Sequence, residues 1–108
     1  QKIILAINIA IKPKLIIADE PFSFLDIQRI HDLMRLINMM KYQNGTSFLI
    51  TSHDMSILYN ICDRIYVISN GKIVDHQVPY HLCFQSNHEC VQKIIKSFYK
   101  FKVIEEIL

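Results

Sequence analysis

The chain has 108 residues, of which 51% are apolar and 20% charged, with a formal net charge of +2. That length suits one small domain burying roughly two-thirds of its unfolded surface, and the composition excludes a disordered, charge-unbalanced polymer. The charge is too small for a nucleic-acid-binding chain: Lys93, Lys96, Lys100 and Lys102 alternate with apolar residues and are followed by Glu105 and Glu106, the pattern of a solvated helix face. Cys62, Cys83 and Cys90 are odd in number and form no C-x-x-C pair, so a reducing cytosol is expected rather than a disulfide framework. No apolar run approaches the ~18 residues that would cross a bilayer, and no signal-peptide succession opens the chain, so any membrane link is expected to run through a partner. The start at Gln1, inside an apolar-periodic segment without a helix cap, reads as a cut or split piece.

In chain order, Ile4, Ile7 and Ile11 share a helical face, and Pro13 ends that first, short helix. Leu15-Ile16-Ile17-Ala18 is an apolar run too short for a helix, and it breaks into Asp19-Glu20-Pro21 as a buried central parallel strand would. Asp26 is placed to cap a helix reaching about Tyr42, with Ile27, Ile30, Met34 and Ile37 on its apolar stripe and Asn44-Gly45 at its end. A second strand, Ser47 to Thr51, leads into Ser52-His53-Asp54, and Met55 to Ile61 form a short helix. Arg64 to Ser69 and Lys72 to Asp75 flank Asn70-Gly71, a strong hairpin signal. Pro79 opens a short polar helix, and Val91, Ile94, Ile95 and Phe98 mark a terminal amphipathic one. The expected fold class is α/β: parallel strands with flanking helices, then an antiparallel hairpin and C-terminal helices.

Parallel sheets gather ligands beyond the carboxyl ends of their strands. Successive strand side chains face opposite ways, so the neighbours Asp19 and Glu20 imply two roles. In P-loop NTPases the acid ending such a strand holds Mg²⁺ while a second group orients the attacking water; Asp19 suits the first role and Glu20 the second. A strand-end acid can equally be a cap or a solvated loop residue. His53, on the next strand's end, brings a hydrogen-bonding imidazole to the same rim and favours the functional reading.

The motifs then resemble those of ABC-type ATPases over essentially the whole chain. Leu15-Ile16-Ile17-Ala18-Asp19-Glu20 resembles the Walker B strand, Pro21-Phe22-Ser23-Phe24-Leu25-Asp26 the D-loop, and Thr51-Ser52-His53-Asp54 the H-loop. Gln1-Lys2 is similar to the pair after the ABC signature, and Cys62-Asp63-Arg64-Ile65 and Asn70-Gly71-Lys72-Ile73-Val74 to the lead into the last hairpin and that hairpin itself. The resemblance implies a partial P-loop NTPase fold, residues 1–108 being the C-terminal portion of one ATP-binding domain. It implies ATP and Mg²⁺ as cofactors, Asp19 on Mg²⁺, Glu20 on water, His53 on the γ-phosphate, and Ser23 and Asp26 facing a second ATP-binding domain across a nucleotide sandwich. Phe22 and Phe24 replace the commoner Thr and Ala of the D-loop. Ser86-Asn87-His88-Glu89-Cys90 resembles the His-Pro-Tyr segment of peptide and nickel importer ATPases, with Glu89-Cys90 in place of Pro-Tyr. Membrane permease subunits, and a cytoplasmic site on the inner face of the membrane, follow from the same resemblance.

Gly45 and Gly71 are the two glycines, and neither stands in a G-x-x-x-x-G-K-[ST] loop; the signature and the glutamine loop are also missing. The chain alone is therefore expected neither to bind ATP tightly nor to hydrolyse it, and a separate chain carrying the P-loop half is a candidate partner. Three other readings stay open: a helicase-like or DNA-repair ATPase, a non-catalytic docking piece or remnant, and a zinc module built on His81, Cys83, His88 and Cys90.

Overall fold

The computed structural model describes residues 10–107, with side chains to residue 98. The expected first helix and Gln1-Lys2 lie outside the described residues, apart from Ala10 and Ile11. The chain divides into two compact units, Gln1–His53 and Asp54–Leu108.

In the first unit β1 (Leu15–Asp19) pairs in parallel with β2 (Ser47–Thr51), Leu15 opposite Ser47 and Asp19 opposite Thr51. The crossover is helix α1 (Ile27–Asn44). Asp26 caps it, its carboxylate accepting the Arg29 N–H at 2.9 Å and thereby satisfying one of the helix's unpaired amides. Gly45 ends it at φ 67°, a left-handed conformation that glycine adopts without a Cβ penalty. Beyond that cap, Thr46 is buried and its hydroxyl donates to the Pro13 carbonyl at 2.9 Å, which ties the helix exit to the start of β1. Ile37 and Met40 are the buried residues of α1, and Phe22 is buried ahead of it.

Two expectations are corrected. β1 is not a buried strand: Leu15 and Ile17 are 54% and 70% exposed, and Leu49 on the same face of β2 is 56% exposed. β2 is its pairing partner among the described residues, and these three side chains on one face of the pair stand exposed. Ile27, assigned to the apolar stripe, is 76% exposed because it stands in the first turn of α1, ahead of the packed stretch that holds Ile37 and Met40.

The second unit begins with α2 (Met55–Ile61), capped by Asp54 through the Ser56 N–H at 2.9 Å. Strands β3 (Ile65–Ser69) and β4 (Lys72–Gln77) form the antiparallel hairpin, β3 starting one residue after the expected Arg64 and β4 running two residues beyond the expected Asp75. Asn70 and Gly71 have φ 50° and 73°, both positive as the favoured two-residue hairpin turn requires. Helices α3 (Pro79–Gln85) and α4 (Glu89–Ile107) follow. Met55, Ile57, Leu58, Ile61, Ile65, Val67, Leu82, Cys83, Val91 and Ile95 are buried, and the rings of Tyr59 and Phe98 lie 6.3 Å apart. The α3 helix is thus less polar than expected, since Leu82 is fully buried.

Between α3 and α4 the Ser86 hydroxyl donates a short hydrogen bond to Asp75 Oδ2. That bond is the main reason the Asp75 carboxyl is held below its ordinary value, with a weaker contribution from Gln77 and burial opposing both. A carboxylate stabilised in the folded state adds stability that is complete above the unfolded value, about 3.9, and is lost as pH falls through the lowered folded one. Ser86→Ala is therefore expected to cost about 1 kcal/mol at pH 7, and urea denaturation should find the difference from wild type shrinking below about pH 4.

Candidate functional site

The parallel register brings the ends of two strands together at one rim of the first unit. Asp19 is the last residue of β1, and Thr51, opposite it, is the last of β2. The Thr51 hydroxyl donates a short hydrogen bond to Asp19 Oδ1 and accepts the Glu20 N–H at 2.9 Å. The same N–H points at the Thr51 carbonyl, 3.1 Å away. Glu20 itself turns into the left-handed region at φ 45°, which costs a residue with a Cβ roughly 1–2 kcal/mol.

That turn presents the Glu20 carboxylate to two further groups. Ser23 Oγ donates to Oε2 at 3.2 Å, and the Ser23 N–H returns to the Glu20 carbonyl at 3.2 Å, closing a tight loop. His53 Nδ1 lies 3.2 Å from Oε1, a hydrogen bond made by the Nδ1–H tautomer. The Glu20 and His53 side chains are 37% and 86% exposed, so with a protonated imidazole the pair contributes about 0–1 kcal/mol. The value of the arrangement is positional.

Of the residues selected from sequence, Asp19, Glu20, Ser23 and His53 thus fall into one hydrogen-bonded network with Thr51. Asp26 does not join it; its carboxylate is occupied with the α1 cap and with Arg29 Nε at 3.6 Å. Thr51 was missed. The available signal was a hydroxyl at the end of the strand running parallel to the acidic one, and it becomes visible once the register is known.

The donor set at Asp19 suits Mg²⁺, an ion that takes one or two carboxylates, keeps several waters and binds phosphate oxygens. Thr51 occupies Oδ1 and leaves Oδ2 for the ion. A triphosphate does not fit this chain's own residues in the same way, because Gly45 closes a helix and Gly71 turns a hairpin, and neither forms a phosphate-cradling loop. The zinc module finds no support in the geometry. Among the described residues no three His, Cys, Asp or Glu side chains gather into a metal-holding group. His88 Nδ1 accepts the Cys90 N–H at 3.2 Å, and burial pushes the Cys83 thiol up, away from the thiolate a metal needs.

No protein-family model matches the chain. Individual proteins do. The methionine import ATP-binding protein MetN of Carboxydothermus hydrogenoformans is 29% identical over 108 residues, all of this chain and 32% of that protein. The nickel import ATP-binding protein NikE of Escherichia coli is 38% identical over 78 residues, 72% of this chain and 29% of that protein. The probable D,D-dipeptide transport ATP-binding protein DdpD of Escherichia coli is 32% identical over 88 residues, 82% of this chain and 27% of that protein. A strand-end acid pair, a histidine on the neighbouring strand's exit and these similarities relate the chain to one class, the ATP-binding proteins of the ABC type. Its homologues are ABC ATP-binding proteins, those of importers among them, and the chain spans about a third of the length of the relatives it matches.

Because Glu20 holds a left-handed conformation, Glu20→Gly is expected to raise stability by up to about 1 kcal/mol while Glu20→Ala does not. Urea denaturation of the two variants beside wild type measures the difference, and equal midpoints for both would remove the case for strain at this position.

Proposed function

We propose that this chain supplies the metal-and-water half of the ATPase site of an ABC importer. The observation that carries the reading is the network in which Thr51 joins Asp19 to Glu20, and Glu20 joins Ser23 and His53. In it Asp19 holds Mg²⁺ and Glu20 takes a proton from the attacking water. His53, anchored through Nδ1–H, would in its doubly protonated form donate Nε2–H to a phosphate oxygen. Ser23 and Asp26 face a second ATP-binding domain. Residues 1–108 form the C-terminal portion of one such domain, and the P-loop, glutamine loop and signature come from another segment or a separate chain. Work of this kind needs membrane permease subunits and a cytoplasmic station on the inner face of the membrane. Among the described residues no helix is long and apolar enough to cross a membrane. The cargo we favour is a small peptide, in line with the D,D-dipeptide transport for which one relative is named and with the His88 segment.

A second reading has its own observation. The exposed apolar face of Leu15, Ile17 and Leu49 fits a docking piece whose completion by another segment serves assembly rather than chemistry. One experiment separates the two. The chain is mixed or co-expressed with a chain carrying the P-loop half, and Mg²⁺-dependent ATP hydrolysis is followed. The proposal expects no turnover by either piece alone, turnover by the pair, and a loss of roughly 10²–10⁴-fold in the pair with Glu20→Gln. A stable complex without turnover would favour the docking reading, and turnover by this chain alone would refute the division of the site.

A further inference from the structure

We propose that Thr51 is a positioning residue for the metal-and-water site, setting both the orientation of the Asp19 carboxylate and the backbone conformation of Glu20. The proposal rests on the ATPase reading above for its consequence in turnover, and on the geometry alone for its mechanism.

Register places Thr51 directly opposite Asp19 on the same sheet face, and both are exposed there. A threonine hydroxyl has one proton and two lone pairs, so it can donate in one direction and accept from another. Here it donates to Asp19 Oδ1 and accepts from the Glu20 N–H. The first bond fixes the rotation of the Asp19 carboxylate and leaves Oδ2 as the oxygen that would hold an ion. The second, with the Thr51 carbonyl as co-acceptor, holds the Glu20 amide as the chain turns to φ 45°. Glu20 would otherwise relax toward extended backbone, the cheaper region for a residue with a Cβ. Relaxation would swing its carboxylate away from Ser23 and His53, the groups that fix both of its oxygens. One β-branched side chain, stiff at χ1, thus sets the two acids that sequence assigns to separate roles.

A residue that merely pinned the sheet would act differently: its loss would lower stability and leave the acids where they are. Thr51→Val keeps shape and β-branching, and it keeps the Thr51 carbonyl bond to Glu20, but it removes the hydroxyl; Thr51→Ser keeps the hydroxyl and loses the methyl. The first measurement uses the full chain by NMR. The Glu20 HN–Hα coupling reports φ, and Mn²⁺ alone, as a paramagnetic probe, broadens resonances near a bound ion. In T51V the Glu20 coupling is expected to move to an extended value, and the Mn²⁺ concentration that broadens Asp19 and Glu20 to rise by roughly tenfold. In T51S both stay near wild type. If T51V does not fold, T51A is read in the same way.

The second measurement is Mg²⁺-ATP turnover in the mixture with the P-loop-bearing chain. There kcat is expected to fall by roughly 10- to 100-fold in T51V, the equivalent of one hydrogen bond to a charged group, with KM within about twofold and recovery in T51S. Wild-type coupling and unchanged Mn²⁺ broadening in T51V would overturn the proposal, as would a wild-type chain in which Mn²⁺ leaves Asp19 and Glu20 sharp. Absence of turnover in the wild-type mixture would sink the ATPase reading instead, and the NMR result would still decide the role of Thr51.

Discussion

The parallel pairing of β1 with β2 is the constraint on which the first unit depends. Parallel strands need a crossover, and α1 with its two caps provides it: Asp26 begins the helix, Gly45 stops it, and Thr46 returns the chain to Pro13 beside the start of β1. The Ser47 N–H then meets the Lys14 carbonyl at 2.8 Å, and the register runs unbroken to Asp19 opposite Thr51. Because side chains alternate with period two, a slip of one residue would turn Thr51 to the other face and separate it from Asp19. The chemistry at the rim is therefore decided at the opposite end of the strands, by how the helix exits.

The same pairing explains why the unit presents an apolar surface. A parallel strand's sequence is apolar on both faces because both are normally covered. Here Ile16, Ala18, Phe48 and Ile50 are half-buried, whereas Leu15, Ile17 and Leu49 stand open. At about 25 cal/mol per Å² of apolar surface, three such side chains forgo several kcal/mol of burial. Two-stranded sheets are marginal in water, so this face is where additional protein would contribute most to stability. The MetN relative is about three times as long as this chain.

Much of this was legible in the sequence, for identifiable reasons. Caps and turns were readable because their chemistry is local: Asp26, Gly45 and Asn70-Gly71 each act on their own backbone within a few residues. The meeting of the acids and His53 at one rim was readable because each was expected at the end of a strand in a parallel pair. Burial of β1 was misjudged because an apolar run states only what a strand can bury, while the covering layer is a tertiary matter. Asp26 satisfied two expectations in sequence, cap and interface, and its hydrogen bond to the Arg29 N–H engages it in the first. Thr51 escaped notice because its partners are 31 and 32 residues away in sequence, and a threonine at a strand end is ordinary β-propensity until the register is known.

The network at Glu20 is held by geometry rather than by burial, and this bears on when it can act. Asp19 and His53 are exposed and Glu20 only half-buried, so water screens their mutual interactions to a fraction of what a dry site would allow. Electrostatic catalysis depends on that exclusion of water. The hydrogen bonds from Thr51, Ser23 and His53 fix positions beforehand, and whatever covers the rim then supplies the low dielectric without having to move the acids. A strained Glu20 backbone, two strand ends locked by one hydroxyl and an open face together describe a half-site whose orientation is settled locally and whose chemical power depends on being enclosed.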